Sequence, residues 1–469
     1  MNVPNPNSDS DLAIFRWFAP ITPSIIGLLF CSLWIGGLSP AFSSDGLSGD
    51  NTLKHDASGK SANRKYGVIS GIEIQGNIKT QPQAILRELL FKQGAELTEH
   101  NLRESEQAVK NMGLFKNVTM MPIRRNGDLY VQLIVEEKKY NFVLPKLGRS
   151  GDGDITTGVV WRSDNLFGLN QRSKFTAAYR EFEDTDKKNE IEGKWEFEYP
   201  RIGESDYSFS LNIGREETNL EETVDHQTGT YERTRIYVEP FIGRWFRQDG
   251  SSRGIRATMG ALWQAYEHEY VSGAPGLLPN PTVKAGVVGF EGDFVQDRLL
   301  SRSGYHFGYR ITYSGEGTDS DVDFLKQELF YRRYVPLKSV EHANLNLQIR
   351  AGHTTHSILG PPEFNIAGSK SLRGYARDNI EGNSFLLFNF EWLRPIFSRE
   401  TLRGALTFDA GDAWYTDSDI QFSNLRYSAG IGLRWKIKRF VKTDIRLDIS
   451  KGLSDGGETK VYLGTNATF

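Results

Sequence analysis

Residues 191–199 read IEGKWEFEY. In an extended strand successive side chains point to opposite faces, so Ile191, Trp195, Phe197 and Tyr199 share one face and Glu192, Lys194, Glu196 and Glu198 the other. A row of charges is unsuited to the core of a sandwich. It suits a strand with one face in lipid and the other in a watery lumen. The same alternation marks Phe175, Ala177 and Tyr179, and it recurs at 207–213, 255–265, 305–313, 345–351, 386–392, 427–435 and 445–449. About sixteen such segments fit between residues 155 and 469, which allows about 20 residues for each strand with its connection. The expected fold is mainly β, a 16-stranded transmembrane antiparallel β-barrel over residues 148–469. A soluble β-helix or sandwich is the competing arrangement.

Composition agrees. The 469-residue chain is 38% hydrophobic and 25% charged, with a mean hydropathy of −0.45, which excludes a bundle of membrane helices. Beyond the N-terminal segment no run approaches the roughly 18 apolar residues of a membrane helix. The 47 glycines and 12% aromatic residues suit many strands, tight turns and an interfacial belt of rings. A net charge of −3 offers no electrostatic footprint for nucleic acid.

Near the N-terminus, Arg16 precedes an apolar run that ends in small residues, which reads as a signal peptide over 1–41. Cleavage after Ala41 competes with a site near Ser43, and a retained helical anchor is the alternative. Cys31, the single cysteine, lies inside this run, so the cleaved chain has no thiol chemistry. Residues 42–65 are rich in Ser, Gly, Asp, Asn and Lys and read as a flexible linker.

Residues 66–138 form a different unit. A strand carrying Ile72 and Ile74 stops at Gly76-Asn77, and Pro82 opens a helix with Ile85, Leu89 and Leu90 on one face. Thr98 begins a second helix that ends at Gly113, and two strands follow, joined by the turn RRNG at 124–127. The order is that of a small α+β domain. Residues 139–153 read as a linker into the barrel, with few anchoring apolar residues.

The stretch SLRGYARDN, 371–379, sits among the alternating segments. Leu372-Arg373-Gly374-Tyr375 resembles the (Val/Ile/Leu)-Arg-Gly-(Phe/Tyr) loop of the outer-membrane assembly superfamily of the BamA/TamA type. FDAGDAW at 408–414 and FNFEWLRPIF at 388–397 resemble two of its strand motifs, and the ending KVYLGTNATF resembles its C-terminal insertion signal, with Tyr462, Gly464 and Phe469 at the matching places. Ala467 stands where that signal usually has a bulky apolar residue. The resemblance runs from about residue 66 to 469 and implies that 66–138 is a POTRA domain in the periplasm, ahead of a barrel in the cell outer membrane. There is room for one such domain. The implied partners are outer-membrane lipid, unfolded outer-membrane or secreted polypeptide clients, and periplasmic or lipoprotein partners.

Alternation turns Phe388, Phe390 and Trp392 toward lipid and Glu391 inward; likewise Leu406, Phe408 and Ala410 face outward and Asp409 inward. If the two strands are adjacent, two inward carboxylates need a cation. The guanidinium fork of Arg373 is expected to satisfy both. Gly374 permits a tight backbone beside the wall and Tyr375 packs there, so Arg373 is a latch for an in-folded loop. Three readings of function stay open: an assembly factor that opens its first-to-last strand seam, a secretion or solute pore closed by the loop, and a barrel with no client. An exposed edge of the small domain is a site for β-augmentation by clients, with a rigid spacer as the alternative. His353 and His356, SGDGD at 150–154 and GTDSDVD at 317–323 lack the pattern of metal sites. No cofactor and no enzyme are expected.

Overall fold

The computed structural model describes residues 64–149, 153–182, 187–224, 226–250, 253–297, 301–355, 364–376, 379–397, 399–415, 420–436 and 444–465. The expected signal peptide at 1–41, the linker up to residue 63, His356 and Phe469 lie outside the described residues.

The N-terminal domain runs β1 (Lys65–Gln75), α1 (Pro82–Leu86), β2 (Glu96–Thr98), α2 (Glu99–Asn111), β3 (Phe115–Arg125) and β4 (Asp128–Glu137). Its sheet has the order β2-β1-β4-β3, with β1 parallel to β4 and β3 at an edge. The Thr98 hydroxyl accepts the Asn101 amide at 3.1 Å and caps α2. Asn126 and Gly127 take φ of 53° and 93°, the left-handed pair that a two-residue hairpin needs. Ile69, Ile85, Leu97, Val109 and Leu133 fill the space between sheet and helices. The first helix is shorter than its pattern predicts. It stops at Leu86, so Leu89 is buried but Leu90 is 56% exposed. The residues that would have continued it, Arg87 and Glu88, instead engage the barrel.

The barrel strands are β5 (Asn141–Arg149), β6 (Ile155–Leu166), β7 (Gln171–Glu181), β8 (Glu190–Tyr199), β9 (Tyr207–Val224), β10 (Gln227–Gly250), β11 (Arg253–Gly273) and β12 (Thr282–Asp293). After the two-residue β13 (Gln296–Asp297) come β14 (Arg302–Ser314), β15 (Phe324–Pro336) and β16 (Asn344–Thr354). The short β17 (Phe364–Asn365) and β18 (Glu381–Gly382) pair only with each other, within a loop. β19 (Ser384–Ile396), β20 (Arg399–Trp414), β21 (Arg426–Lys436), β22 (Asp444–Gly452) and β23 (Thr459–Thr465) complete the set. Neighbours in sequence pair antiparallel and β23 returns to β5, closing a 16-stranded barrel.

Two expectations are corrected here. Residues 139–153 are not a linker: β5 lies inside them and pairs with β6 along its whole length, Asn141 with Ser163 through Arg149 with Ile155. Val143, Pro145 and Leu147 face outward and Lys146 inward, but Phe142 and Leu144 put apolar residues on the inward face as well and mask the alternation; the proline is tolerated because this strand borders the seam. The sixteen strands are therefore reached only by counting β5. Strand length also differs from the 9 to 11 residues that a bilayer demands. β9, β10 and β11 have 18, 24 and 21 residues, and hairpins of that length continue past the hydrocarbon.

The opening stretch behaves as its alternation predicts. Ile191 faces outward at 51% exposure, and the charged row is neutralised inside the lumen: Lys146 and Lys194 hold Glu192, Lys174 holds Glu196 at 2.6 Å, and Arg172 holds Glu198 at 3.0 Å.

The N-terminal domain is docked on two barrel turns. Arg87 donates to the carbonyls of Leu169 and Arg201, both at 3.0 Å, and Arg201 donates back to the Arg87 carbonyl at 2.7 Å. The Gln81 amide reaches the Gly168 carbonyl at 2.9 Å, and Asn165 donates to the Thr80 hydroxyl at 2.9 Å. Gly168 is required: its φ is +75°, and an added Cβ would lie 2.2 Å from the Lys79 carbonyl oxygen. Glu88 is buried behind Arg87, and burial holds its carboxyl above the ordinary range despite Arg201 and Arg87 nearby.

Two outcomes follow. The barrel folds only in detergent or lipid and shows heat-modifiable migration, since its outward face has no aqueous partner; a monodisperse folded barrel in plain buffer contradicts this. For Glu88 the folded pKa lies above the unfolded one, so its contribution is present below the ordinary carboxylate range and lost as pH rises through the raised value. Glu88→Gln therefore raises the thermal midpoint of the docked domain at neutral pH, and the gap from the wild type closes as pH falls. A lower midpoint for the variant at neutral pH contradicts the assignment.

Candidate functional site

Between β16 and β19 the chain folds back into the lumen around a small apolar centre of its own. Phe364, Ile366, Leu372, Tyr375 and Ile380 pack on Phe385 and Leu387, two inward apolar residues of β19. The Leu372 amide donates to the Ile366 carbonyl at 2.7 Å, and the Ile366 amide to the Ile380 carbonyl at 3.0 Å, so the loop has an ordered backbone. This geometry delivers Arg373 to the wall.

Arg373 is 0% exposed. Its Nε donates to Asp409 Oδ2 at 2.7 Å and its Nη2 to Oδ1 at 2.6 Å, a fork on a carboxylate, and its backbone amide adds a contact at 3.2 Å. Asp409 stands on β20 opposite Asn389 of β19 and Ser428 of β21. Those ladder partners complete its shell: Asn389 Nδ2 donates to Oδ1 at 2.8 Å and Ser428 Oγ to Oδ2 at 3.0 Å. A charge this deeply buried persists only with such a full set of donors.

Gly374 has φ of +81°, and an added Cβ would lie 2.2 Å from the Gly452 amide nitrogen. No other residue fits that approach without displacing β22. The Gly374 amide donates to the Tyr462 hydroxyl on β23 at 2.9 Å, and its carbonyl accepts the Glu458 amide at 2.8 Å. Tyr375 is buried; its hydroxyl donates to the Tyr427 carbonyl at 2.7 Å and accepts the Ser454 amide at 3.2 Å. The loop is thus fastened to β20, β21 and the β22–β23 hairpin.

Glu391 takes its guanidinium hydrogen bonds from Arg434. Its carboxylate accepts Arg434 Nε at 2.9 Å and Nη2 at 2.5 Å, with Asn346 Nδ2 at 3.1 Å. Arg434 lies on β21, reaches across β20, and also holds Asp448 of β22 at 2.8 Å. The two inward carboxylates stand on adjacent strands but off the direct register, Asp409 opposite Asn389 and Glu391 opposite Thr407. That offset gives each its own arginine. Arg434, Asn389, Ser428 and Asp448 are the residues that sequence reasoning missed. The alternation of Leu433 and Trp435 around Arg434 put it on the lumenal face, but its reach over an intervening strand is a tertiary fact.

At the closing strand Val461 and Leu463 face outward and Tyr462 inward, as the alternation predicts. Tyr462, expected as part of an insertion signal, is also a partner of the loop. Gly464 faces inward beside Arg446. His353 Nδ1 lies 2.8 Å from the Ser384 hydroxyl.

Arg373→Ala leaves the buried Asp409 without a counter-charge, a penalty of roughly 3–5 kcal/mol. The expected result is a formed barrel with a loop cleaved more readily near Tyr375, and Arg373→Lys restores the loop only in part. In a double-mutant comparison Asp409→Asn relieves the Arg373→Ala defect and Glu391→Gln does not. Equal protease sensitivity of wild type and Arg373→Ala overturns the latch.

Comparison with known proteins places this geometry. The Omp85 superfamily domain matches residues 165–440, and POTRA, described as a surface antigen variable number repeat, matches 67–138. The outer membrane protein assembly factor BamA of Nitratidesulfovibrio vulgaris is 21% identical over 422 residues, covering 86% of this chain and 50% of that protein. The chain therefore spans about half the length of this curated relative. BamA from Haemophilus ducreyi lacking POTRA domains 1-3 superposes with a TM-score of 0.53 at 15% identity, over 85% of this chain and 84% of that one. CdiB from Escherichia coli gives 0.62 at 13% identity over 85% and 76%, and CdiB from Acinetobacter baumannii 0.60 at 14% over 85% and 73%. At these identities the likeness is one of fold. With a domain match over more than half of its length, the chain belongs to the Omp85 superfamily, an outer-membrane β-barrel with a POTRA domain at 67–138 on the periplasmic side.

Proposed function

We propose that this protein assists the insertion or translocation of other polypeptides at the outer membrane, by opening the seam between β23 and β5. The observation that carries the reading is the hold of the in-folded loop on the closing strand, whose described residues meet β5 at Leu463 with Arg149. Gly148 and Gly464 turn no side chain inward beside it. The in-folded loop bears on the same place, through the bond from the Gly374 amide to Tyr462 of the closing strand. Loop position and seam are thereby linked.

On this reading unfolded outer-membrane or secreted polypeptides are the clients, and outer-membrane lipid is the destination at the open seam. Strand β3, at the edge of the POTRA sheet, offers backbone groups for β-augmentation by an extended client. Periplasmic or lipoprotein partners have the rest of that domain available. The work is conformational and needs no chemical step and no cofactor. A second reading, a protein-conducting or solute pore, is favoured by the apolar centre that the loop builds inside the lumen.

The test is a reversible lock. With Cys31 replaced by Ser, Arg149→Cys and Leu463→Cys bridge the seam under oxidising conditions. Cells depleted of the native protein and carrying this variant are expected to lose outer-membrane proteins and to recover them on reduction. Undiminished assembly with the seam fully crosslinked overturns the seam reading and leaves the pore standing.

A further inference from the structure

Away from the latch, the lumenal wall formed by β11, β12, β14, β15, β16 and β19 carries a recess of about 410 Å³. Three arginines line it: Arg310, Arg332 and Arg350. Of the carboxylates there, Glu291 is already bonded to Arg256, whose Nε and Nη2 donate to it at 2.9 and 2.5 Å. That leaves Glu328 to face three guanidinium groups. Glu328 stands opposite Arg310 in the ladder, yet among the described residues it makes no ion pair or hydrogen bond. Arg310 and Arg350 likewise make none; they lie over the rings of Phe241 and Phe385, each 5.5 Å from the centroid. Aromatic faces hold the guanidinium planes in place while leaving their N–H edges unspent.

The third arginine is tied to the latch. Arg332 Nε donates to Gln348 Oε1 at 2.7 Å, Gln348 Nε2 to Asn389 Oδ1 at 3.0 Å, and Asn389 Nδ2 to both Asp409 Oδ1 and the Ser371 carbonyl at 2.8 Å. Each member stands opposite the next in the ladder, Arg332 with Gln348, Gln348 with Asn389, and Asn389 with Asp409. Gln348 and Asn389 are each 1% exposed, so no solvent interrupts the row. A second connection is Phe385, which lines the recess and packs on Phe364 of the in-folded loop with ring centroids 4.7 Å apart.

We propose that this recess is a binding site for a polyvalent oxyanion, and that its occupation holds the in-folded loop in place. The chemistry is that of clustered guanidinium forks with too few carboxylates among them, which suits phosphate-type groups in bidentate contact. An anion on the terminal nitrogens of Arg332 fixes that side chain while its Nε stays on Gln348, and this orients the amides of Gln348 and Asn389 toward Asp409 and Ser371. By linkage, a ligand that binds the held arrangement more tightly shifts the loop toward it. Gln348 is a positioning residue in this scheme. The proposal rests on the recess and the row alone and does not depend on the client.

The probe is inorganic pyrophosphate, titrated into the full chain in a zwitterionic detergent and followed by calorimetry. Protease cleavage near Tyr375 is scored in parallel. One saturable site is expected, weakened about tenfold or more in Arg310→Gln/Arg350→Gln. Beyond the rings of Phe241 and Phe385 neither arginine has a hydrogen bond or ion pair among the described residues, so that variant keeps heat-modifiable migration. In the wild type pyrophosphate slows cleavage of the loop. Gln348→Leu binds the anion but loses that protection, which separates the relay from the site. Absence of binding, or equal binding by wild type and the double variant, overturns the site. Protection that persists in Gln348→Leu overturns the relay.

Discussion

Arg373 and Asp409 form an ion pair from which the solvent is excluded, at 0% and 1% exposure, in the middle of a barrel wall. An isolated charge there has no means of recovering its hydration, so each partner depends on the other and on a closed shell of donors. Asn389 and Ser428 supply that shell because antiparallel pairing sets them on either side of Asp409 with their side chains turned inward. The barrel register thus makes the anion site, and the loop brings the cation. Every further contact of the loop follows from that anchorage: the approach of Gly374 to β22, the hydroxyl bonds of Tyr375, and the hold on Tyr462.

The lumen repeats this solution at several depths. Glu391 is held by Arg434, which also holds Asp448, and Lys146 and Lys194 share Glu192. Alternation makes such networks possible, since a strand that gives its apolar residues to lipid has only polar residues left for the interior. The recess with Arg310, Arg332 and Arg350 departs from this balance, an accumulation of cations whose carboxylate Glu328 makes no ion pair or hydrogen bond among the described residues. Arg332 of the recess shares a ladder row with Asp409 of the latch, and for that reason two buried side chains, Gln348 and Asn389, are enough to join them.

The POTRA domain and the closing strand are held in different ways. The POTRA domain is fixed by backbone carbonyls of two barrel turns and the reciprocal bonds of Arg87 and Arg201, and the buried carboxyl of Glu88 lies behind them. Such contacts are local and polar, and they put one sheet edge, β3, away from the sheet partners that would cover it. Among its described residues the closing strand meets β5 at Leu463 with Arg149, and the loop bonds it from inside through Tyr462.

What the sequence by itself determined was direction. Alternation of apolar and charged residues, as in IEGKWEFEY, assigns each side chain to lipid or lumen without reference to any other strand, because the period of two is a local property of the backbone. The small α+β domain was legible for the same reason, from Thr98 as a helix cap and from Asn126-Gly127 as a turn. Where the inward Phe142 and Leu144 blur the alternation, β5 reads as a linker. Partnership was decided only by the tertiary structure. Register places Asp409 opposite Asn389 but Glu391 opposite Thr407, and this one-row offset separates two carboxylates that the sequence assigned to a single arginine. Arg434, two strands away from Glu391, and the row from Arg332 to Asp409 exist because closure of the sheet brings distant segments into one ring, and nothing in a linear pattern carries that distance.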